Sequence, residues 1–237
     1  MTANESSLKI RYEAVLERIS SAASASGRDA SEITLVVISK NHPAQLVLDL
    51  IDLGAKNFGE NRDQEAAPKA IEIAAQSSAS ISWHFVGQLQ SNKVKSVLNY
   101  SHSIHSLDRD SLLQALGKEA SHRRESDPAF FTDVFIQLNL TDDPGRGGIE
   151  IGDLNGFAEQ VLAAPHIKLL GVMGVASLEN PPERDFAKIQ QASQDLQKLA
   201  PEAKFISAGM SEDFEAAISH GATHLRIGSA ITGNRQN

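Results

Sequence analysis

The chain has 237 residues, of which 41% are hydrophobic and 22% charged, the balance of an ordinary globular protein with a buried core. Its formal net charge of -8 opposes the attraction on which binding to nucleic acids and anionic membranes mostly depends. Cysteine is absent, which excludes disulfides, thiolate metal sites and a cysteine nucleophile. Because the amino-terminal stretch lacks the apolar core of a secretory signal and no later run could span a bilayer, we expect a cytoplasmic protein.

Apolar periodicity predicts an opening helix followed by eight units of strand and helix. The opening helix is amphipathic and closes at Gly27, with its apolar residues at Leu8, Tyr12, Val15, Leu16 and Ile19. The β-branched run ITLVVIS (33–39) is typical of a strand buried on both faces, and a helix follows it at 43–55. Further strands are predicted at 56–59, 82–87, 102–106, 131–140, 167–177, 204–209 and 223–230. Their helices are predicted after Arg62 and Ser91 and from Asp108, Asp153, Pro182 and Ser211.

This alternation predicts a parallel sheet with right-handed crossovers. Eight units favour an α/β fold closed into a single (β/α)8 barrel of the TIM type, although strands two and four look short and an open doubly wound sheet is the alternative. We expect one domain over 1–237, in which a helix at 1–30 packs on a barrel at 31–233. Active groups of such barrels lie at the carboxyl ends of the strands, so candidate site residues are sought there.

Lys40 is the first candidate, because it follows the apolar strand with only Ser39 between and should project towards the barrel mouth. A partly desolvated lysine loses proton affinity, and its neutral amine can attack an aldehyde to form a Schiff base. A solvated lysine at the start of a loop is the alternative on position alone.

The second candidate is a phosphate site near the carboxyl-terminal end of the sequence. Ser211 follows Gly209 and opens a predicted helix, while Gly228 and Ser229 end the last strand where another short helix could begin. Helix amino ends with small residues offer backbone N–H groups to a phosphate, and the loops after strands seven and eight of a barrel are neighbours. An N-cap serine and a tight turn are the structural alternatives.

Polar residues within and after the predicted strands supply further candidates. Arg226 needs an acceptor in its apolar strand, so it could face a ring nitrogen or pair with a carboxylate such as Glu60. His84 alone is more often a hydrogen-bonded core histidine, and we give it a supporting role. Other polar groups follow strands two and three: Asn61, Gln88, Asn92 and Lys93.

Several common site types are absent from the sequence. His102 and His105 have no third ligand nearby, so a metal site is not expected. The sequence also contains no phosphate-binding G-x-x-x-x-G-K-[ST] loop, no dinucleotide fingerprint and no G-x-S-x-G elbow. The lysine and the two glycine–serine loops therefore carry the chemical interpretation.

Six segments, VVISK, FGEN, WHFVGQLQSNK, GVM, GMSEDFEAAI and RIGSAITG, in this order resemble the pyridoxal phosphate homeostasis protein family (YggS/PROSC type). The resemblance runs from about Ile33 to Gly233. It implies a barrel similar to the N-terminal domain of alanine racemase, with fold type III binding of pyridoxal 5'-phosphate (PLP) as a Schiff base on Lys40. It also implies that Arg226 faces the pyridine nitrogen and that the remaining cofactor-binding residues are Asn61, His84, Ser207, Ser211, Gly228 and Ser229.

The chain departs from the family pattern at the pocket rim and the terminus. It has SKNHP where a threonine usually follows the lysine, FGENR without the usual following aromatic residue, and Gln88 in place of a common proline. It also has SAGMS rather than S-[ML]-GMS, and ITGNRQN where an aromatic residue is usual. The lysine and phosphate positions are unaffected by these departures.

Racemases of this fold use two opposed acid–base groups, the lysine and a tyrosine from a second domain or a partner subunit. Here the two tyrosines, Tyr12 and Tyr100, lie away from the predicted strand ends. We therefore expect a monomer without catalytic residues or a metal, which holds PLP and buffers it or delivers it to apo enzymes. The alternatives are a PLP-dependent, racemase-like enzyme acting on amino acids and an aldolase-like barrel whose lysine holds no cofactor.

Overall fold

The computed structural model describes residues 3–141, 144–177 and 180–233. Over these residues eight parallel strands pair in sequence order and β1 pairs with β8, so the sheet is a closed barrel. The strands are β1 Thr34–Ile38, β2 Asn57–Glu60, β3 Ser82–Phe85, β4 Ser101–Leu107, β5 Thr132–Gln137, β6 Ile167–Met173, β7 Phe205–Ser207 and β8 His224–Ile227. The predicted TIM-type barrel is confirmed, and the open sheet is wrong.

Helices follow the strands and cover the outside of the barrel. They are α1 Ala3–Ala25, α2 Ala44–Asp52, α3 Asp63–Gln76, α4 Val94–Val97, α5 Asp110–Arg124, α6 Leu154–Ala163, α7 Pro182–Leu199, α8 Phe214–Ser219 and α9 Ser229–Thr232. In the part of the chain that is described, no helix is long and apolar enough to cross a membrane.

The opening helix α1 packs against α8 and α9. Four of its five predicted apolar positions are buried, but Leu16 is 41% exposed and the prediction for it is wrong. Val15 already occupies the buried face, and a residue one position further along a helix is turned about 100° away from it. Arg11 ties α1 to the last helix, because its Nε donates to the Ile231 carbonyl oxygen at 2.7 Å.

The helix predicted from Ser211 begins instead at Phe214. The intervening turn is closed by Asp213, whose Oδ1 accepts the Met210 N–H at 2.6 Å. Gly209 has a φ of 90°, which residues with a side chain rarely adopt. Ser211 is therefore in the loop between β7 and α8 and does not cap α8.

Strand alternation decides which side chains enter the barrel. A Cβ added to Gly59 would contact the side chains of Val36 and Ile38, so these two β1 residues face the interior. Lys40 follows Ser39 in the turn after β1, at the carboxyl end of the barrel. Glu60, one residue after Gly59, has the opposite phase and points outward to α3.

Candidate functional site

Lys40 lies in the turn that follows β1, at the carboxyl end of the barrel, where the sequence places it. Its side chain is exposed, so the partial desolvation predicted from the apolar strand is not found. Its amine makes no hydrogen bond or ion pair with the described residues and is available to an electrophile at the mouth. Because no side-chain contact holds the Lys40 amine, the backbone of the turn is what positions this residue.

The peptide groups on both sides of Lys40 are held by α3. Lys69 Nζ donates to the Ser39 carbonyl oxygen at 2.9 Å, and the Glu65 carboxylate accepts the Asn41 N–H. Asn41 has a φ of 64°, a left-handed conformation that asparagine tolerates better than most residues. The sequence interpretation missed this clamp, although the i,i+4 spacing of Glu65 and Lys69 on a predicted helix was a signal for it.

The clamp rests on a buried ion pair. Glu60 is fully buried and Lys69 is 6% exposed, and Lys69 Nζ lies 2.7 Å from Glu60 Oε1. The same oxygen accepts the Ser39 hydroxyl at 2.8 Å, whereas Glu60 Oε2 is buried without a hydrogen-bond partner among the described residues. Burial raises the pKa of Glu60, and the Lys69 ammonium opposes that rise. Such pairs contribute little net stability, which points to a role in geometry.

Ser211 joins the two loops predicted to bind phosphate. Its Oγ accepts the Ala230 N–H at 3.2 Å and the Ser229 hydroxyl at 3.1 Å. The N-cap interpretation of Ser211 is wrong, because α8 has Asp213 at its N-cap. Gly228 lies beside these groups, and a Cβ there would come 3.4 Å from Ile38. Hydroxyl and N–H donors thus converge beside the strand that carries Lys40.

Arg226 is 5% exposed and points into the barrel. Its Nη1 donates to Ser207 Oγ at 2.6 Å, and its Nη2 donates to the Gly174 carbonyl oxygen at 2.9 Å. Burial lowers the pKa of Arg226 to about 10, against the opposing charge of Asp213, so the guanidinium stays charged at neutral pH. The alternative pairing with Glu60 is wrong, since that carboxylate pairs with Lys69.

His84 lies inside the barrel, below the mouth. Its Nδ1 is 3.0 Å from His105 Nε2, and its Nε2 is 3.1 Å from Asn57 Oδ1. Burial, together with the smaller effects of His224 and His102, lowers the pKa of His84 to about 3, so the ring is neutral. His105 Nδ1 lies 2.8 Å from Ser207 Oγ and so connects His84 to the arginine. We missed His105, although the polar pair Ser103 and His105, two positions apart on the predicted strand, was a signal that this strand lines a polar interior.

Asn61 lies directly after β2 and lines a groove of about 620 Å3 together with Gln88, Gln90 and Lys93. Its Oδ1 is buried and has no hydrogen-bond partner among the described residues. Leaving such an oxygen unpaired costs free energy, so a ligand that donates a hydrogen bond there would be favoured.

These groups together fit a phosphorylated aromatic aldehyde. A free lysine amine suits the aldehyde, two hydroxyl groups suit the phosphate, and a charged arginine suits an unprotonated ring nitrogen. Asn61 offers a further hydrogen-bond acceptor, its unpaired Oδ1, in the groove that it lines. The described residues contain no cluster of histidine, aspartate or glutamate that could hold a metal ion.

Comparison with known proteins agrees with this geometry. The family described as the N-terminal domain of alanine racemase matches residues 10–236. A pyridoxal phosphate homeostasis protein from Mycobacterium leprae is 37% identical over 243 residues, covering 97% of this chain and 93% of the relative. The protein of the same name from Escherichia coli strain K12 is 36% identical over 224 residues, covering 93% and 94%.

Solved structures give the same result. PipY of Synechococcus elongatus, with PLP bound, is 29% identical with a TM-score of 0.77, covering 92% of this chain and 100% of that one. Alanine racemase from Corynebacterium glutamicum is 16% identical with a TM-score of 0.66, and it shares the fold over 92% of this chain and 60% of its own. On the extent and identity of these matches, the chain belongs to the pyridoxal phosphate homeostasis protein family.

Proposed function

We propose that the protein binds PLP reversibly, with Lys40 as the point of attachment, and holds it for buffering or delivery to apo enzymes. The observation that carries the proposal is the convergence of three chemically matched groups at one end of the barrel. These are the free amine of Lys40, the hydroxyl groups of Ser211 and Ser229, and the guanidinium of Arg226. The relatives named for PLP homeostasis and the PLP-bound structure of PipY support it.

Attachment requires only condensation. The Lys40 amine bonds to the aldehyde carbon and water leaves, and an incoming amine reverses the attachment by taking the carbon and returning Lys40 to the free form. Ser211 and Ser229 hold the phosphate by hydrogen bonds during this exchange. When bound, PLP supplies an electrophilic carbon and a ring that can accept electrons.

Arg226 favours a carrier over an enzyme. A guanidinium that stays charged cannot accept a proton and so keeps a facing ring nitrogen unprotonated, which weakens the ring as an electron sink. Among the described residues, neither tyrosine is placed at the mouth to act as a second acid–base group. Tyr12 is buried in α1, and the Tyr100 hydroxyl donates to Asp63 Oδ1 at 3.4 Å beside α3. We propose that the protein acts as a monomeric carrier without catalytic turnover.

Absorption spectroscopy tests the attachment. With added PLP we expect an imine band at about 420 nm in the wild type and in Lys198→Ala, a control at an exposed lysine, and none in Lys40→Ala. Borohydride reduction followed by peptide mass spectrometry should place the cofactor on Lys40. A band that persists in Lys40→Ala would move the attachment to another lysine, and no band in the wild type would overturn PLP binding and favour the aldolase-like alternative.

Hydrogen exchange at the α-carbon of amino acids tests the carrier role. In deuterated water, NMR should show no exchange above that seen with Lys40→Ala. Enzyme-dependent exchange would refute the carrier interpretation and support a racemase-like activity. Transfer is tested separately, by whether the loaded protein restores activity to an apo PLP-dependent enzyme faster than its free PLP accounts for.

A further inference from the structure

Beneath the mouth, polar side chains form one continuous hydrogen-bonded line through the barrel. Arg226 Nη1 lies 2.6 Å from Ser207 Oγ, which lies 2.8 Å from His105 Nδ1. His105 Nε2 lies 3.0 Å from His84 Nδ1, and His84 Nε2 lies 3.1 Å from Asn57 Oδ1. The line runs from the buried Arg226 guanidinium to Asn57 and spans strands β8, β7, β4, β3 and β2.

The arginine fixes the direction of these hydrogen bonds, because a guanidinium has donors and no acceptor. Ser207 Oγ therefore accepts from Arg226 and has its own proton to give to His105 Nδ1. A neutral His105 with an acceptor at Nδ1 carries its proton on Nε2, where it faces His84 Nδ1. By the same rule His84 carries its proton on Nε2 and donates it to the Asn57 carbonyl oxygen.

The opposite direction leaves a buried group unpaired. If His105 donated from Nδ1, Ser207 would accept twice and its own hydroxyl proton would have no acceptor among the described residues. Ser207 is fully buried, so water would not replace that acceptor. Reversal would also require Asn57 to turn its amide NH2 towards His84.

Ser103 supports hydrogen-bond donation in the direction from Arg226 to Asn57. Its Oγ lies 3.2 Å from His105 Nε2 and 2.8 Å from His84 Nδ1. The hydroxyl can therefore accept from His105 and donate to His84, a second route with the same polarity. Both rings are neutral over the ordinary pH range, since burial lowers the pKa of each and the neighbouring charges, His224, His102 and Arg226, lower it further.

We propose that His105 is a positioning residue that, through Ser207, holds the Arg226 guanidinium in a single orientation facing the mouth. His105 is fully buried and its ring is 4.4 Å from that of Phe135, so the aromatic contact fixes the imidazole that receives the Ser207 proton. The role of Arg226 towards a cofactor rests on the proposed function. The direction of the hydrogen bonds does not, because it follows from the protein alone.

Histidine 15N NMR of the protein without added PLP tests the direction and needs no variant. Between about pH 5 and pH 8 we expect His105 and His84 to show protonated Nε2 and bare Nδ1, with no titration. Protonation at Nδ1 of His105, or a charged ring at neutral pH, would overturn the proposed direction. His122, an exposed histidine, serves as the internal reference for the chemical shifts of a solvated ring.

Variants of His105 test the positioning role. His105→Leu removes the acceptor and should weaken PLP binding about tenfold while the imine band remains, because Lys40 and the phosphate loops are untouched. His105→Asn, whose Oδ1 can replace Nδ1 as the acceptor, should restore much of that loss, and His122→Leu should bind as the wild type does. Wild-type affinity in a folded His105→Leu, or equal losses in the Leu and Asn variants, would refute positioning through Ser207. If the wild type itself bound no PLP, the proposed function would fail, while the NMR result would still decide the hydrogen-bond direction.

Discussion

Replacing Lys69 with methionine should destabilise the protein and disturb the turn that carries Lys40. The substitution keeps the chain length but leaves Glu60 fully buried without its ion-pair partner. Removing one partner of a buried pair costs about 3–5 kcal/mol, and because both groups are buried no discount for solvent screening applies. For a chain of this length, about 3 kcal/mol corresponds to a fall of roughly 6–12 °C in Tm.

The cost of Lys69→Met should depend on pH. The folded-state pKa of Glu60 is raised, so the folded protein holds a proton that the unfolded chain releases above the ordinary glutamate pKa of 4.5. The free energy of unfolding therefore falls as pH rises from 4.5 through the raised pKa. The Lys69 ammonium opposes the rise in the Glu60 pKa, so this pKa is higher still in Lys69→Met. The free energy of unfolding of the variant therefore keeps falling over a wider pH range, and the stability lost relative to the wild type is greater at pH 8 than at pH 5.

Thermal and denaturant unfolding at both pH values measures this difference. Glu60→Gln combined with Lys69→Met removes both charges and should recover most of the stability. Lys198→Met removes an exposed pair with Asp195 and should leave Tm unchanged. Equal stability of Lys69→Met and the wild type at pH 8, or the same loss at both pH values, would refute the assignment of the buried ion pair.

Three further predictions concern single positions. Gly171→Ala should unfold the protein or make it insoluble, because φ is 152° and the new Cβ would overlap the Phe205 carbonyl oxygen; circular dichroism and solubility measure this. Val15→Glu should lower Tm strongly and Leu16→Glu should not, since only Val15 faces the core; similar losses would contradict the assigned face of α1. Ser211→Ala should weaken binding of PLP about fivefold to tenfold but leave binding of pyridoxal, which lacks the phosphate, unchanged in parallel titrations.

The order of the elements could be predicted from the sequence because it depends on local periodicity. Most strands are apolar runs and most helices are amphipathic, and eight such units have few ways to bury their faces other than a barrel. The position of Lys40 could be predicted for the same reason, because a polar residue that follows a buried strand lies at the end of that strand. Helix ends were less well predicted, as at Ser211, because α8 begins only at Phe214, after a turn in which Asp213 accepts the Met210 N–H.

The partners of the polar residues were decided only by the tertiary structure. Nothing local shows that Glu60 faces α3 while Asn61 lines a groove with residues that follow β3, since both are polar and adjacent in sequence. Likewise, Ser207 and His105 are 102 positions apart and meet only because barrel closure brings β4 and β7 to one interior. The physical reason is that a buried polar group must find a hydrogen-bond partner, and which partner it finds depends on strand register and on what the closed barrel places within about 3 Å of it.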